Sequence, residues 1–291
     1  MAYFANMPVV SYPLQVNGKV KFIDSRNIMV RAKILDYIKS TQSAYMDYTI
    51  RDGERPETLA RRIYGQSDLH WIILLFNEIL DPMFHWPLST YDLEAAVNTK
   101  YTGKALFIDL NNVQFKKDGV ITRAKEELWY EIGSKISQDI GGKVATATVI
   151  GWDPDLYKII IDDPTGAFTV DRTVQNLVHT RSDGVVLYAG VGKVVDDNRY
   201  AVHHFIDVDT GKTVDHHALF RTGANLLLES NLIIRYAVYG NEIETIVGKT
   251  YASVTNYQHE IEENESRRKI RLMRPELIDV VIKDMRKVFG G

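Results

Sequence analysis

The feature that most constrains this chain is the stretch 47–100, where turn residues mark the ends of short helices. Residues 48–52 alternate in polarity and predict a strand, and Gly53 after an aspartate predicts a turn. Pro56 suits the first position of a helix, because its missing N–H has no intrahelical partner there. Gly65 then predicts the end of that helix.

A second helix follows at once. Asp68 can cap its start, the run 71–76 is apolar and aromatic, and the helix is expected to end near Asn77. We expect Trp71 and Leu75 to be buried between the two helices and the strand that contains Tyr48. This stretch alone therefore predicts a small strand-helix-helix unit.

The remaining chain changes character around this stretch. Residues 1–23 are apolar with two prolines and predict an extended arm, and residues 24–46 predict a helix. Short strands separated by turns in 101–250 predict a small β-sandwich or barrel, with a hairpin at 201–217. We expect an α+β protein in four parts: an N-terminal arm and helix (1–46), the strand-helix-helix module (47–100), an inserted β-rich domain (101–250) and a C-terminal helical tail (251–291).

Composition excludes several classes of function. The 291 residues are 45% hydrophobic and 25% charged, as in globular proteins, and the net charge of −3 gives no global attraction to nucleic acid or membranes. No cysteine is present, so disulfides and thiolate metal sites are impossible. The first residues lack the pattern of a signal peptide, and the longest apolar run is too short to cross a membrane.

Residues 48–65 resemble a LysM domain in their strand, glycine turn, Thr-Leu helix start and closing Tyr-Gly. The resemblance implies a βααβ module. Two departures affect the loops that grip sugar in glycan-binding LysM domains. The turn at 54–57 is longer, and residues 88–97 predict a helix instead of the second strand. We therefore expect no binding to chitin oligomers or peptidoglycan.

A narrower resemblance covers two separated blocks. Residues 52–89 resemble the LysM-like core of a baseplate wedge subunit of T-even-type contractile phages. Residues 262–270 resemble the family's C-terminal block, an Asn-Glu-x-x-Arg-x-Ile segment preceded by acidic residues. The resemblance implies a structural, non-enzymatic virion protein that joins adjacent wedges and helps to close the sixfold baseplate around the hub.

Several expectations follow from this resemblance. The partners are other wedge and hub subunits, in multiple copies, with neither nucleic acid nor membrane, and assembly takes place in the host cytoplasm before the protein enters the tail baseplate. The alternative is a peptidoglycan-binding tail protein or the binding part of a cell-wall hydrolase. The ends of the chain should carry the contacts, and the interface candidates are Tyr3, Phe4, Tyr12, Trp86, Arg267, Arg271 and Arg274.

Trp86 and the basic residues near the C-terminus allow other interpretations. These residues form a basic run that consists of Arg267, Arg268, Lys269, Arg271 and Arg274. Trp86 can pin the loop that leaves the module, and the arginines can form a solvated face. Since the basic run lacks an aromatic platform or a nucleic-acid motif, we favour docking on an acidic subunit for part of it.

Histidines are the only residues that suggest a metal. A hairpin turn near Gly211 would place His204 opposite His217, a spacing at which two imidazoles can share Zn²⁺. Three aspartates in the same ribbon favour a solvated polar hairpin, so we predict no bound Zn²⁺ there. No nucleophile elbow, phosphate loop or zinc-protease motif is present. We therefore predict neither catalysis nor a cofactor.

Overall fold

The computed structural model describes residues 7–27, 34, 36–122, 128–171, 173–214, 233–236 and 249–290. The chain divides into two compact units. Unit 1 combines residues 1–94 with 262–291, and unit 2 comprises residues 95–261. The first unit is thus built from both ends of the chain, and the second from one continuous stretch.

Most helices lie in residues 36–100 and 256–290, and most strands lie between these two regions. The first half contains β1 (Val9–Val16), β2 (Lys19–Arg26), α1 (Asp36–Ser40), β3 (Tyr45–Thr49), α2 (Pro56–Tyr64), α3 (His70–Phe76), α4 (Pro82–His85), α5 (Thr90–Lys100), β4 (Lys104–Lys117), β5 (Val120–Thr122), β6 (Lys135–Ile140) and β7 (Lys143–Asp153). The second half contains β8 (Lys158–Thr165), β9 (Leu177–Thr180), β10 (Val186–Val195), β11 (Val202–Asp207), β12 (Thr213–Val214), β13 (Ile233–Tyr236), β14 (Lys249–Thr255), α6 (Asn256–Arg268), β15 (Lys269–Met273) and α7 (Ile278–Gly290).

Unit 1 begins with a β-hairpin where the sequence predicted an extended arm and then a helix. Asn17 and Gly18 both adopt positive φ, at 50° and 74°, which is the turn that two-residue hairpin loops require. Strand β2 continues to Arg26, and α1 spans Asp36–Ser40. The predicted helix over 24–46 is wrong for residues 24–26, which the turn at Asn17 and Gly18 places in β2, and for residues 45 and 46, which begin β3.

The two helices after β3 follow their local signals. Helix α2 starts at Pro56 and ends at Gly65, whose φ of 77° is the left-handed conformation of a helix C-cap. Helix α3 ends before Asn77, and α5 covers most of the region predicted to be helical after Pro87. These predictions are confirmed because proline, glycine and asparagine act on the backbone locally.

The core of unit 1 joins these helices to the C-terminal segment. Trp71 is 7% exposed and belongs to a cluster with Phe76, Met273 and Ile278. A second cluster packs Ile73 of α3 against residues of α2, of β15 and of the positions directly after β3 and α4, namely Ile50, Leu59, Ala60, Trp86, Ile270 and Leu272. The predicted burial of Trp71 is confirmed, but its neighbours include the C-terminal residues, and Leu75 is only partly buried.

Unit 2 contains a closed six-stranded barrel. Its strands follow the order β10-β9-β6-β7-β8-β4, and β4 pairs back with β10 to close the ring. The β4–β10 ladder runs from Val186↔Lys116 to Val195↔Ala105 with two register shifts. The interior is filled by apolar side chains, among them Phe115, Ile136 and Leu187. A second sheet in the unit has the order β12-β11-β14-β13.

The predicted α+β fold around a LysM-like βααβ module is wrong. A closed β-barrel forms the core of unit 2, and the strand that pairs with β3 is β15, antiparallel from Lys269↔Thr49 to Met273↔Tyr45. No second strand of a contiguous module is present within the described part of 47–100. Periodicity reports local structure, whereas both the barrel closure and this strand pair are long-range. Among the described residues, no helix is both long and apolar enough to cross a membrane.

Candidate protein interface

The β1–β2 hairpin exposes apolar side chains on both of its faces. Tyr12 lies opposite Ile23, and Pro13 lies opposite Phe22 in the next register position. Because cross-strand partners share a face and successive pairs alternate, these two pairs lie on opposite faces. Tyr12, Ile23 and Phe22 are 62%, 42% and 66% exposed. A hairpin lying flat on one surface would need only one apolar face, so this one is suited to insertion between two surfaces.

The hairpin is held at its base by contacts between its own ends. The Arg26 guanidinium donates to the Met7 carbonyl oxygen at 2.7 Å, and the Asn27 backbone N–H donates to the Pro8 carbonyl at 2.8 Å. A two-stranded hairpin alone is marginally stable in water, because it cannot bury enough apolar area. Tyr12 is the predicted interface residue that lies on it, while Tyr3 and Phe4 lie outside the described residues.

A second exposed apolar surface, the 80–91 surface, surrounds α4. Leu80, Met83, Phe84 and Tyr91 are 69%, 82%, 71% and 83% exposed. The Asp81 side chain accepts a hydrogen bond from the Met83 backbone N–H at 3.0 Å and so caps α4. This cap holds Met83 and Phe84 on a short rigid turn. Neither residue was predicted from the sequence as a contact, although two large apolar residues directly after Asp-Pro were a usable signal.

Trp86 lies beside this surface but points inward. It is 7% exposed, and its indole N–H donates to the Glu54 carbonyl oxygen at 2.8 Å. The Glu54 carboxylate accepts from the Tyr48 hydroxyl at 2.8 Å. The turn that is lengthened relative to LysM sequences is therefore held by Trp86 and Tyr48. Of the two interpretations of Trp86, the structure favours the pin over a solvent-facing anchor.

The three predicted arginines are exposed but make contacts within the chain. Arg267 donates to the Phe84 carbonyl oxygen at 3.1 Å, so this arginine lies next to the 80–91 surface. The Arg271 guanidinium stacks 4.7 Å from the centre of the Tyr45 ring. Arg274 is held through its backbone N–H, which donates to the Ala44 carbonyl at 3.0 Å. The structure thus brings Arg267 and Trp86 to one region and places the other two arginines along β15.

The C-terminal block that resembles the wedge family makes hydrogen bonds and an ion pair to residues 52 and 88 of the same unit. The Asn264 side chain accepts from the Leu88 N–H at 2.7 Å and donates to the Leu88 carbonyl at 3.1 Å. Arg268 pairs with Asp52 at 2.8 Å, and this hydrogen bond, followed by one from the Thr90 N–H, lowers the pKa of the Asp52 carboxyl. The motif residues therefore bind the two ends of the chain together.

Asn77 makes a third tie of the same kind. Its side-chain amide donates to the Arg271 carbonyl oxygen at 2.8 Å and accepts from the Arg271 N–H at 2.8 Å. A side chain here takes the place of a neighbouring strand, because it satisfies both backbone groups of one residue on the edge of β15. The asparagine predicted to end α3 thus also fixes the C-terminal strand.

The histidines are arranged differently from the prediction. Within 202–214 the predicted hairpin is present, with Phe205↔Val214 and Ile206↔Thr213 paired, whereas His216 and His217 lie outside the described residues. His203 and His204 instead meet His259 of α6. Burial, followed by the charges of His259 and His204, lowers the pKa of His203 to about 4.

Comparison with known proteins gives a family match and a similar curated protein. Residues 2–135 match the family described as base plate wedge protein 53. The baseplate wedge protein gp53 of Enterobacteria phage T4 is 31% identical over 106 residues, which cover 34% of this chain and 54% of that protein. The chain thus spans about half the length of this relative.

Proposed function

We propose that this chain is a structural, non-enzymatic wedge component of a contractile phage tail baseplate. It joins adjacent wedges, helps to close the sixfold baseplate around the hub, and takes its place in the virion after assembly in the host cytoplasm. One observation carries the proposal. The segment that matches the wedge family, residues 2–135, contains both the doubly apolar hairpin and the 80–91 surface.

The hairpin supplies the joining contact in this proposal. Its two faces each present large apolar side chains, so a groove between neighbouring baseplate subunits covers both at once. Each large apolar side chain that moves from water into such a groove contributes about 1.5–3 kcal/mol. Several of them offset the ordering of a short hairpin that Arg26 and Asn27 hold at its base. A polar or charged partner surface would leave these side chains without a matching environment.

The 80–91 surface supplies a second contact on unit 1. Two separate contacts on one rigid unit strengthen each other, because the first raises the effective concentration of the second. Unit 1 also carries exposed positive charge. Arg267 lies beside Phe84, and Arg271 and Arg274 are exposed near β15. They suit acidic groups at the rim of a partner's apolar groove. Tyr3 and Phe4 extend the same N-terminal segment and are proposed contacts from the sequence alone.

The test introduces one charge on each face of the hairpin in the phage itself. A phage encoding Tyr12→Asp together with Phe22→Asp should yield at least tenfold fewer complete baseplates than wild type, counted by electron microscopy of lysates. The matched control is Val144→Asp with Val170→Asp, because these residues of unit 2 are also about half exposed, at 56% and 52%. Both purified variants should keep the circular dichroism of the wild-type protein.

Two results would sink the proposal. One is a normal yield of infectious particles from the hairpin variant. The other is an equal loss from the control, because the defect would then follow from any exposed charge and not from the hairpin. Complete but unjoined wedges that accumulate only in the hairpin variant would locate the failure at wedge joining.

A further inference from the structure

Two neighbouring histidines of β11 lie on the same side of their strand. Successive side chains of a regular strand point to opposite faces. The pairing of β11 with β14 shifts register between Val202 and His204, which marks a bulge at His203. A bulge re-aims the side chains beside it. As a result, the Nδ1 atoms of His203 and His204 are 2.9 Å apart.

The third histidine, His259, lies near the start of α6. The helix start is fixed to the residues before β11: the Asn256 N–H donates to the Ala201 carbonyl at 2.9 Å, and its side chain donates to the Asn198 carbonyl at 2.7 Å. His259 is thereby placed with its ring centre 3.9 Å from that of His203 and 5.6 Å from that of His204. One ring nitrogen from each of the three lies within 4.8 Å of the other two.

We propose that His203, His204 and His259 bind one divalent transition-metal ion, with Zn²⁺ as the best match. Imidazole nitrogens suit zinc, copper and nickel, whereas calcium and magnesium require oxygen ligands. Zinc–nitrogen bonds of about 2.0–2.1 Å in a tetrahedron place the nitrogens about 3.3 Å apart. The His203 and His204 nitrogens, now 2.9 Å apart, therefore have to separate slightly, and nitrogens up to 4.8 Å apart have to approach. A water molecule completes the four ligands. The ion then fastens the first turns of α6 to β11.

The charged side chains around the three histidines are compatible with the positive charge of a bound metal ion. Lys158 donates to the Val202 carbonyl at 3.0 Å and lies 3.3 Å from the Asp153 carboxylate, so its own charge is partly balanced. Lys100 is paired with Glu260 at 2.6 Å. All three histidines are half-buried, which differs from the solvated ribbon expected from the sequence. The prediction that no Zn²⁺ binds here was made with His217 as the partner of His204. Within the described chain, the partners of His204 are His203 and His259.

Binding requires one ring to turn. The rings of His203 and His259 are stacked with planes 14° apart, and the lone pair of an imidazole nitrogen lies in the ring plane. Two nearly parallel rings cannot both direct their lone pairs at one ion. Rotation of the His259 ring about its Cβ–Cγ bond relieves this conflict. The proposal therefore predicts a change in the environment of His259 when metal is added.

The experiment uses the full chain without a histidine tag. Isothermal titration with ZnCl₂ should show one equivalent bound, and His259→Gln should weaken that binding at least tenfold. His85→Gln is the control, because His85 is an exposed histidine of α4 outside the cluster. Its substitution should leave the zinc affinity unchanged.

A second measurement needs no substitution and so does not depend on a variant that folds. In the wild-type protein, NMR signals of the His203, His204 and His259 rings should shift when zinc is added, while those of His70, His85 and His179 stay in place. The proposal is overturned if zinc, nickel and copper all fail to bind. It is equally overturned if the zinc-induced shifts fall on other histidines, or if a folded His259→Gln protein binds zinc as tightly as wild type.

Discussion

The two units of this chain solve the problem of strand pairing in different ways. Unit 2 closes its barrel with strands that all come from residues 95–261, and the β4–β10 ladder leaves the ring without a free edge. Unit 1 pairs β3 with β15, which come from opposite ends of the chain. The barrel is held by long ladders, whereas the two ends of the chain in unit 1 are joined by one short strand pair, two apolar clusters and a few side-chain amides. The difference predicts that unit 1, and not unit 2, unfolds when its C-terminal strand is removed.

The units also differ in the surfaces that they present. Unit 2 encloses its main apolar core within the barrel, while unit 1 concentrates its exposed apolar side chains on the hairpin and the 80–91 surface. A unit that carries binding surfaces has less apolar area left for its own core. Unit 1 should therefore be the less stable of the two. Its tryptophans, Trp71 and Trp86, and those of unit 2, Trp129 and Trp152, allow the units to be followed separately.

The largest expected effect comes from removal of the C-terminal strand. A chain that stops after Arg268 lacks β15 and α7, so β3 has no partner and the clusters around Trp71 and Ile73 lose one side. Unit 1 should unfold while the barrel remains. In the NMR spectrum, the indole signals of Trp71 and Trp86 should collapse to random-coil positions, and the two indoles of unit 2 should keep theirs. Deletion of residues 1–27 is the control and should preserve all four. Four native signals in the shortened chain would contradict the contrast between the units.

The next effect is confined to the core of unit 1. Trp71→Ala should lower the free energy of unfolding of unit 1 by about 3–5 kcal/mol, because a large buried side chain leaves a cavity. Urea denaturation followed by the Trp86 indole signal measures this change. Tyr91→Ala, at a residue that is 83% exposed, should change stability by less than about 0.5 kcal/mol. Equal effects of the two substitutions would mean that Trp71 is not part of a packed core.

A smaller effect is expected from the amide ties. Asn264→Ala leaves the Leu88 N–H and carbonyl without their partner, which should cost unit 1 about 1–3 kcal/mol. Glu262→Gln on the same helix removes an exposed charge and serves as the control, with an expected change below about 0.5 kcal/mol. Thermal unfolding of the two variants compares them directly. A neutral Asn264→Ala would show that the tie between the two ends of the chain carries no stability.

The smallest effect concerns the pH dependence of the barrel. Burial lowers the pKa of His179, whose Nε2 lies 2.7 Å from the Ser134 hydroxyl, below the ordinary value of 6.5. The unfolded chain therefore takes up a proton near pH 6.5 while the folded barrel does not, and stability falls as the pH drops below that value. His179→Gln should reduce this dependence for unit 2 and His85→Gln should not, while the lowered pKa of His203 leaves part of the dependence in place. The measurement is urea denaturation between pH 7.5 and 5, followed by the Trp152 signal. Parallel curves for wild type and His179→Gln would assign the acid sensitivity to other groups.

Helix ends were predictable from the sequence wherever a residue acts on its own backbone. Pro56, Gly65 and Asn77 each fix a helix end through local geometry, and the helices lie where these residues predict. The hairpin at 9–26 was missed although its Asn17-Gly18 turn is a strong local signal, because the prolines and apolar residues favoured an extended arm. In that case the information was present and was weighted wrongly.

Other features could not be predicted from local patterns. Strand β15 alternates in burial, but its five residues lie between a helix and a proline, and nothing near them points to β3 as the partner. The histidine cluster depends on a bulge in β11 and on the position of α6, which long-range packing sets. The candidate interface was predicted only in part: Tyr12 is exposed on the hairpin, whereas Trp86 is buried and the nearby Met83 and Phe84 provide the apolar surface.

The pairing of β3 with β15 also sets an order in time. During translation β3 leaves the ribosome first, and its partner follows only after the whole of unit 2 has been made. At about 5–20 residues per second, this delay is on the order of tens of seconds. The barrel can therefore fold while β3 is still unpaired. The part of the protein that is synthesised first then reaches its native structure last. A ribosome that stalls within unit 2 would hold Ile50 and Leu59 without their cover, and such nascent chains are the ones that a holding chaperone should bind.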